Sequence, residues 1–297
     1  MPWAPREFEL TVRVPGSSDV APTVTDNGMS TINPRHILLL VHGYNNSHED
    51  AEKSYQVFLD NMATAFGDRI SLAPDTVAKF HWPGDESTAF GTTVGYPFDI
   101  NHARDAASRL ATYLAALPVT GNGASRRITM VGHSMGCRLI LEALGRVGTA
   151  SVPGIAIVGL MAAASPVEFV RRNGRLFRTG SPPRQMLKFF SEQDFVLQIG
   201  FPLGQWLAFQ WQIEDGNYAE AIGRFGHPDE FGSAQRTRNG HSDYWSDAKI
   251  VSFLVQQVDA TTRTQLGSAE MPERALQPAA ALAERSLPSR TAPFETG

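Results

Sequence analysis

Apolar and polar positions along this chain alternate between two rhythms. Near the start, Phe8, Leu10, Val12 and Val14 are separated by Glu9, Thr11 and Arg13, a period of two that predicts a strand with one covered face. A connector rich in Pro, Gly, Ser and Asn is predicted to run from there to about Arg35. His36 to Val41 then reads HILLLV, a continuous apolar run that predicts a strand buried on both faces. Ala51, Tyr55, Phe58, Met62 and Phe66 recur at helical spacing behind Ser47, a residue type that caps helices. Thr76 to Trp82 predicts another strand, Ala103 to Leu117 a second helix, and Ile128 to Gly132 a third buried strand.

A helix is predicted from about Met135, with Cys137, Ile140, Leu141 and Leu144 on its inner face. Gly154 to Met161 and Gln185 to Phe190 read as further strands, and a terminal helix spans about Asp247 to Val258. Apolar strands alternating with helices predict an α/β domain with a mostly parallel sheet covered on both faces. From 199 to 240 the period breaks. FPLGQWLAFQW concentrates Phe201, Trp206, Phe209 and Trp211, and reads as a lid, as part of an apolar pocket, or as a buried segment packed on the sheet. The Gly-rich stretch Pro83 to Asp99 is a candidate border for a cleft. One domain is expected over 1–262, with its core at about 34–258, and a flexible tail over 263–297, where Ala, Pro, Ser, Glu and Arg dominate.

Composition narrows the function classes. Of 297 residues 42% are apolar and 19% charged, and the net charge is −4, so nothing suggests a nucleic-acid partner. A single cysteine, Cys137, excludes an intramolecular disulfide and a cysteine-built metal site. The N-terminal residues lack a basic stretch followed by an apolar core, and the longest apolar run falls short of the ~18 to 20 residues a membrane span needs. A soluble cytoplasmic protein without stable membrane insertion is the expectation; the chain says nothing of its oligomeric state.

The chemistry concentrates at GHSMG, Gly132 to Gly136. An apolar strand runs into the first glycine and a helix follows the serine, the context required of the nucleophile-elbow pattern G-x-S-x-G. A serine on such a turn projects from the sheet edge, and the glycines allow strand and helix to approach closely. The amide of Met135 would then donate from a helix N-terminus to a developing oxyanion. His42-Gly43-Tyr44 stands at the carboxyl end of a buried strand, where the Tyr44 amide is the candidate second donor.

HGYNNS followed by GHSMG resembles the α/β-hydrolase superfamily, and within it a bacterial branch that opens with HGYN. FHWPG (80–84), FFSEQD (189–194), GRFG (223–226) and GHSDYW (240–245) resemble other parts of that branch, so that the likeness covers about Pro34 to Val258. AAASP after Met161 departs from it by lacking an acidic residue, and no convincing apolar strand immediately precedes His241, so the last strand is expected to be shortened, displaced or absent. The resemblance implies an α/β-hydrolase fold and a serine hydrolase of carboxylic esters or related acyl bonds, with a small-molecule acyl substrate. It also implies partners in the order serine, acid, histidine.

Of eight histidines only His227 and His241 follow every candidate acid, and His241 is preferred because it precedes the last helix. Asp194, after the strand QMLKFF, is the preferred acid. Glu168 is the alternative, although Ser165-Pro166-Val167-Glu168 also reads as a helix-capping box. Cys137 reads as a small core residue and His133 as packing beside the elbow. The remaining histidines show no spacing typical of zinc ligands, so no metal and no cofactor is expected. The same triad would serve a thioesterase or acyltransferase, and the fold alone would serve a binding protein.

Overall fold

The computed structural model describes residues 3–68, 72–84, 92–117, 126–146, 154–176 and 185–269. In chain order the elements are β1 (Arg6–Arg13), β2 (Val20–Asp26), β3 (His36–Val41), α1 (His48–Phe66), β4 (Thr76–His81), α2 (Thr92–Ala116), β5 (Arg127–His133) and α3 (Met135–Arg146). They continue with β6 (Ile155–Met161), α4 (Val167–Val170), β7 (Gln185–Phe190), α5 (Phe201–Gln210), α6 (Ile222–Phe225), β8 (Ser233–Arg236) and α7 (Ala248–Ala269). The chain divides into two compact units, Met1–Asp259 and Ala260–Gly297. Of the second, the described part is the helical stretch 260–269; the rest of the expected tail lies outside the described residues.

The strands form one sheet in the order β2-β1-β4-β3-β5-β6-β7-β8. Every neighbouring pair is parallel except β1 with β2. All six residues of β3 and of β4, and all seven of β6, are buried, as strands covered on both faces require; β4 buries Thr76, Lys79 and His81 along with its apolar residues. Helix α1 starts where Ser47 Oγ accepts from the Asp50 amide at 3.1 Å, with Glu49 and Asp50 in its first turn opposing the positive end of the helix dipole. Its inner face buries Ala51, Tyr55, Phe58, Met62 and Phe66, and the Tyr55 hydroxyl donates to the Phe80 carbonyl at 2.9 Å.

Register places the site. Val41 pairs with Gly132, His133 with Met161, Met161 with Phe189, and Phe190 with Arg236. The segments that follow β3, β5, β6, β7 and β8 therefore emerge side by side at one sheet edge, the end where open α/β sheets bind ligands.

Two expectations need correction. The connector before Arg35 contains β2, an antiparallel edge strand none of whose residues is fully buried, so its apolar positions carry no clear alternation. The last strand before His241 is shortened, as expected: β8 is four residues long, largely exposed and without an aliphatic side chain beyond Ala234. The capping box at Ser165 does not form. Pro166 holds the N-cap position, the Val167 amide donates to the Glu220 carbonyl, and the amide of Phe169 donates to the carbonyl of Pro166. The Ser165 hydroxyl is left buried without a partner.

Candidate active site

Ser134 lies between the last residue of β5 and the first of α3 with φ +51°, a left-handed conformation that costs a non-glycine residue strain. Its amide donates to the Met161 carbonyl at 2.9 Å, and its own carbonyl accepts from Cys137 and Ala164, each at 3.1 Å. These bonds hold the turn. The flanking glycines are steric necessities: a Cβ at Gly136 would stand 2.3 Å from the His42 carbonyl oxygen, and one at Gly132 would stand 2.7 Å from Ile140 Cδ1.

His241 follows β8, and its ring reaches back to the turn. Nε2 lies 2.9 Å from Ser134 Oγ and Nδ1 lies 2.8 Å from Asp194 Oδ2. A carboxylate only accepts, so Nδ1 carries the proton and Nε2 is left as the acceptor for the serine hydroxyl. Asp194 is fully buried, and the His241 side chain is 15% exposed. The second carboxylate oxygen, Oδ1, accepts from the Leu197 amide at 3.0 Å, and the Asp194 carbonyl accepts from Gln198 at 3.0 Å. Asp194 thus opens the helical turn Val196–Gly200 as well as facing His241.

The structure brings together Ser134, Asp194 and His241 and leaves the two alternatives apart. Glu168 sits on the single turn of α4 with Oε2 unpartnered, and His241 bonds Asp194 instead. His227 is exposed and stacks on Phe225. Asp243 and Asp247 brace the loop that carries His241, accepting from the Gly240 amide and the Asn239 side chain, each at 2.9 Å.

One participant escaped the sequence reading. His133 Nε2 donates to the backbone carbonyl of His241 at 2.7 Å, tying the loop that carries His241 to the residue beside Ser134. Burial, with the nearby His241 adding to it, pushes His133 down to about 3, so it is a neutral donor near neutral pH. Its position is the variable one of the pattern, and no periodicity marks it.

The loop His42 to Asn46 approaches from β3. Gly43 touches the turn so closely that a Cβ there would lie 2.9 Å from Ser134 Cβ. His42 is buried, and burial pushes it down to about 3; its Nε2 accepts from the Trp82 amide at 3.2 Å and its Nδ1 faces the Gly43 carbonyl at 2.9 Å. The Trp82 indole donates to the His42 carbonyl at 3.0 Å, and Asn46 Nδ2 donates to the Tyr44 carbonyl at 2.9 Å. Tyr44 is thereby held beside Ser134, while Met135 is buried as the first residue of α3.

Ser134 and His241 open into a cavity of about 360 Å³ whose walls include Tyr44, Tyr96, Ala164, Leu197, Phe201 and Trp245. Of the 199–211 segment, Gly200 and Phe201 reach the cavity, whereas Leu203, Trp206, Phe209 and Trp211 are exposed, which rules out a wholly buried segment. Of the Gly-rich stretch from Pro83 to Asp99, residues 85–91 lie outside the described residues; from Thr92 onward it is helix, and Tyr96 lines the cavity. Cys137 is a core residue whose thiol faces the Met161 carbonyl at 3.3 Å, and burial raises its pKa well above the thiol range. Among the described residues no helix is long and apolar enough to cross a membrane.

A family model described as "Alpha/beta hydrolase of unknown function (DUF900)" matches residues 19–207. The chain belongs to this family. The match contains Ser134 and Asp194, and His241 of this alpha/beta hydrolase lies beyond it. Among solved structures the hydrolase is similar to esterase PE8, at 16% identity and a TM-score of 0.43, over 75% of this chain and 93% of that one. It is also similar to esterase B from Lactobacillus rhamnosis (9% identity, TM-score 0.41, 80% of this chain and 79% of that one). The lin2722 product from Listeria innocua is a third (10% identity, TM-score 0.40, 76% and 94%). Likenesses this distant carry no argument about activity. No curated protein matches the chain.

Proposed function

We propose that this chain is a cytoplasmic serine hydrolase that cleaves a carboxylic ester or related acyl bond of a small molecule through an acyl-enzyme on Ser134. The observation that carries the reading is the continuous bonded line from Asp194 Oδ2 through His241 to Ser134 Oγ, at 2.8 and 2.9 Å, opening into a largely apolar cavity.

Serine is a poor nucleophile until a neutral imidazole takes its proton. In the proposed mechanism Ser134 Oγ attacks the substrate carbonyl carbon as its proton passes to His241 Nε2. The buried carboxylate of Asp194 stabilises the imidazolium and holds the ring in the required tautomer. Charge collects on the former carbonyl oxygen, where the backbone amides of Met135 and Tyr44 are the proposed donors; one such donor is worth ~3 to 4 kcal/mol in the transition state. The tetrahedral intermediate collapses, and the leaving alcohol takes the proton from His241. Water then attacks the acyl-serine, gives its proton to the same nitrogen, and the acid departs as Ser134 recovers its hydrogen.

A fluorophosphonate probe and a panel of p-nitrophenyl esters of increasing chain length test the reading. The wild type is expected to label and to turn over esters. Ser134→Ala is expected to keep its fold, to lose labelling, and to lose up to ~10⁶ in kcat. Turnover near the wild-type level in that variant, or a wild type that neither labels nor hydrolyses any ester, would overturn it.

A further inference from the structure

We propose that Glu9, His48 and His81 form a binding site for a zinc-class divalent cation, with Glu52 orienting His81 from outside the ligand set. The fold assembles this group from three elements. In the parallel register of β1 with β4, Glu9 pairs with Lys79 and Thr11 with His81. Residues two apart share a face of a sheet, so Glu9 and His81 project to the same side. Helix α1 lays His48 and Glu52, one turn apart, over that side. One potential ligand atom from each of Glu9, His48 and His81 lies within 4.8 Å of the other two.

His81 is the decisive member. Its side chain is completely buried, and Nε2 faces Glu52 Oε1 at 2.9 Å. Because a carboxylate only accepts, that nitrogen carries the proton, and Nδ1 is left with a lone pair and no hydrogen-bond partner. A buried acceptor without a donor is an exception that calls for an explanation. Metal-ligating histidines characteristically donate their second N–H to a carboxylate, which is the arrangement Glu52 gives His81. Glu52 is in turn fixed by Lys79 Nζ at 2.8 Å, which also reaches Glu7 at 2.9 Å.

The other two ligands are already partnered with each other: His48 Nε2 faces Glu9 Oε1 at 3.1 Å, and the His48 ring stacks on His81 with centroids 4.2 Å apart. A simple hydrogen bond accounts for that pair but not for His81 Nδ1. Zinc holds nitrogen and oxygen at ~2.0 to 2.2 Å, so the donors must draw together on binding. Glu9 and His48 are free to do so, since their side chains are 43% and 48% exposed. Two imidazoles and one carboxylate suit zinc and neighbouring transition metals better than calcium or magnesium. None of the four residues lines the cavity at Ser134, so the ion would clamp β1 to the start of α1 and take no part in acyl chemistry.

The test uses the full-length, tag-free chain stripped with a chelator and titrated with zinc against a chromophoric competitor, with melting followed in zinc and in EDTA. One zinc per chain is expected with Kd of about 1 μM or tighter, and a melting temperature that rises with zinc. Glu9→Gln and His48→Ala, both at exposed positions, are each expected to weaken binding at least ~10-fold. Cobalt(II) should give visible bands of a low-coordinate site in the wild type and lose them in both variants. Fluorophosphonate labelling of Ser134 is expected to be equal in the stripped and loaded protein, so this result and the hydrolase reading fail separately. No binding tighter than about 100 μM, or binding by both variants equal to wild type, would overturn the proposal.

Discussion

Gly43→Ala places one methyl group where the loop after β3 meets the turn at Ser134. The new Cβ would lie 2.9 Å from Ser134 Cβ, 3.0 Å from His133 Nδ1 and 3.1 Å from the His133 carbonyl oxygen. Carbon atoms settle at about 3.5 to 4.0 Å, so relief requires a shift of at least about 0.6 Å. None of the three neighbours is a free side-chain end. Ser134 is pinned by the Met161 carbonyl and by the amides of Cys137 and Ala164, and His133 is pinned through Nε2 to the His241 carbonyl. The displacement therefore falls on the loop that carries Tyr44 or on Ser134 itself, whose bond to His241 would stretch from 2.9 Å to the outer limit of a hydrogen bond. Overpacking of this kind costs ~1 to 3 kcal/mol of stability, and a misplacement approaching 1 Å costs up to ~100-fold in rate. The expected result is kcat/KM on a p-nitrophenyl ester reduced ~10- to 100-fold, with a matching fall in the rate of fluorophosphonate labelling. Urea unfolding should show the stability loss alongside. Gly145→Ala is the control, because its Cβ meets Leu176 Cδ2 at an ordinary 3.6 Å. If Gly43→Ala matched the control in both rate and stability, the close approach of the two loops would be wrong.

Asp194→Asn is expected to lower kcat by ~10⁴, because the His241 ring loses the acceptor that sets its tautomer; a fall of less than ~10-fold in steady-state kinetics would refute that role. Glu214→Gln leaves Arg138, fully buried and bonded to it, without its main counter-charge, and should cost ~3 to 5 kcal/mol in urea unfolding. A loss under ~1 kcal/mol would show the pair to be dispensable. Acid should destabilise the fold through His36, His42, His81 and His133, each of which burial pushes down to about 3. Between that value and the ordinary ~6.5 the unfolded chain binds the extra protons, so the stabilisation is complete above ~6.5 and is lost as pH falls toward 3. Four such groups set an upper limit near ~5 kcal/mol per pH unit, and urea midpoints that stay constant from pH 7 to pH 5 would contradict the burial.

The sheet interior was legible because β3, β5 and β6 are buried on both faces, which writes them as unbroken apolar runs. The edges were not. Strand β2 includes Pro22 and three polar residues and buries no face completely, while the SAQR of β8 is held by its register with β7 and not by side-chain burial. At the site, Ser134 announces itself through local spacing, while the order of acid and base leaves Asp194 or Glu168 and His241 or His227, among which the family resemblance and position before the last helix favour Asp194 and His241. His133 acts through a bond to a carbonyl 108 positions away, which no local pattern encodes. Glu9, His48 and His81 likewise lie 39 and 33 positions apart, and only the pairing of β1 with β4, with α1 laid over it, gathers them. The spacing of Ser165 and Glu168 suggested a cap, yet the Val167 amide is taken by the Glu220 carbonyl and the helix starts one residue later, with Pro166 at the N-cap.

The short outer strand β8 has a kinetic corollary. The imidazole is mounted five residues beyond the thinnest strip of the sheet, a four-residue ribbon attached along one side only, whereas the serine stands on its thickest part. Fraying of such a margin needs far less free energy than cooperative melting of the interior. Mild heat or denaturant is therefore expected to detach His241 first, so that the activity proposed for this molecule is lost, and recovers on cooling, while its core is still native.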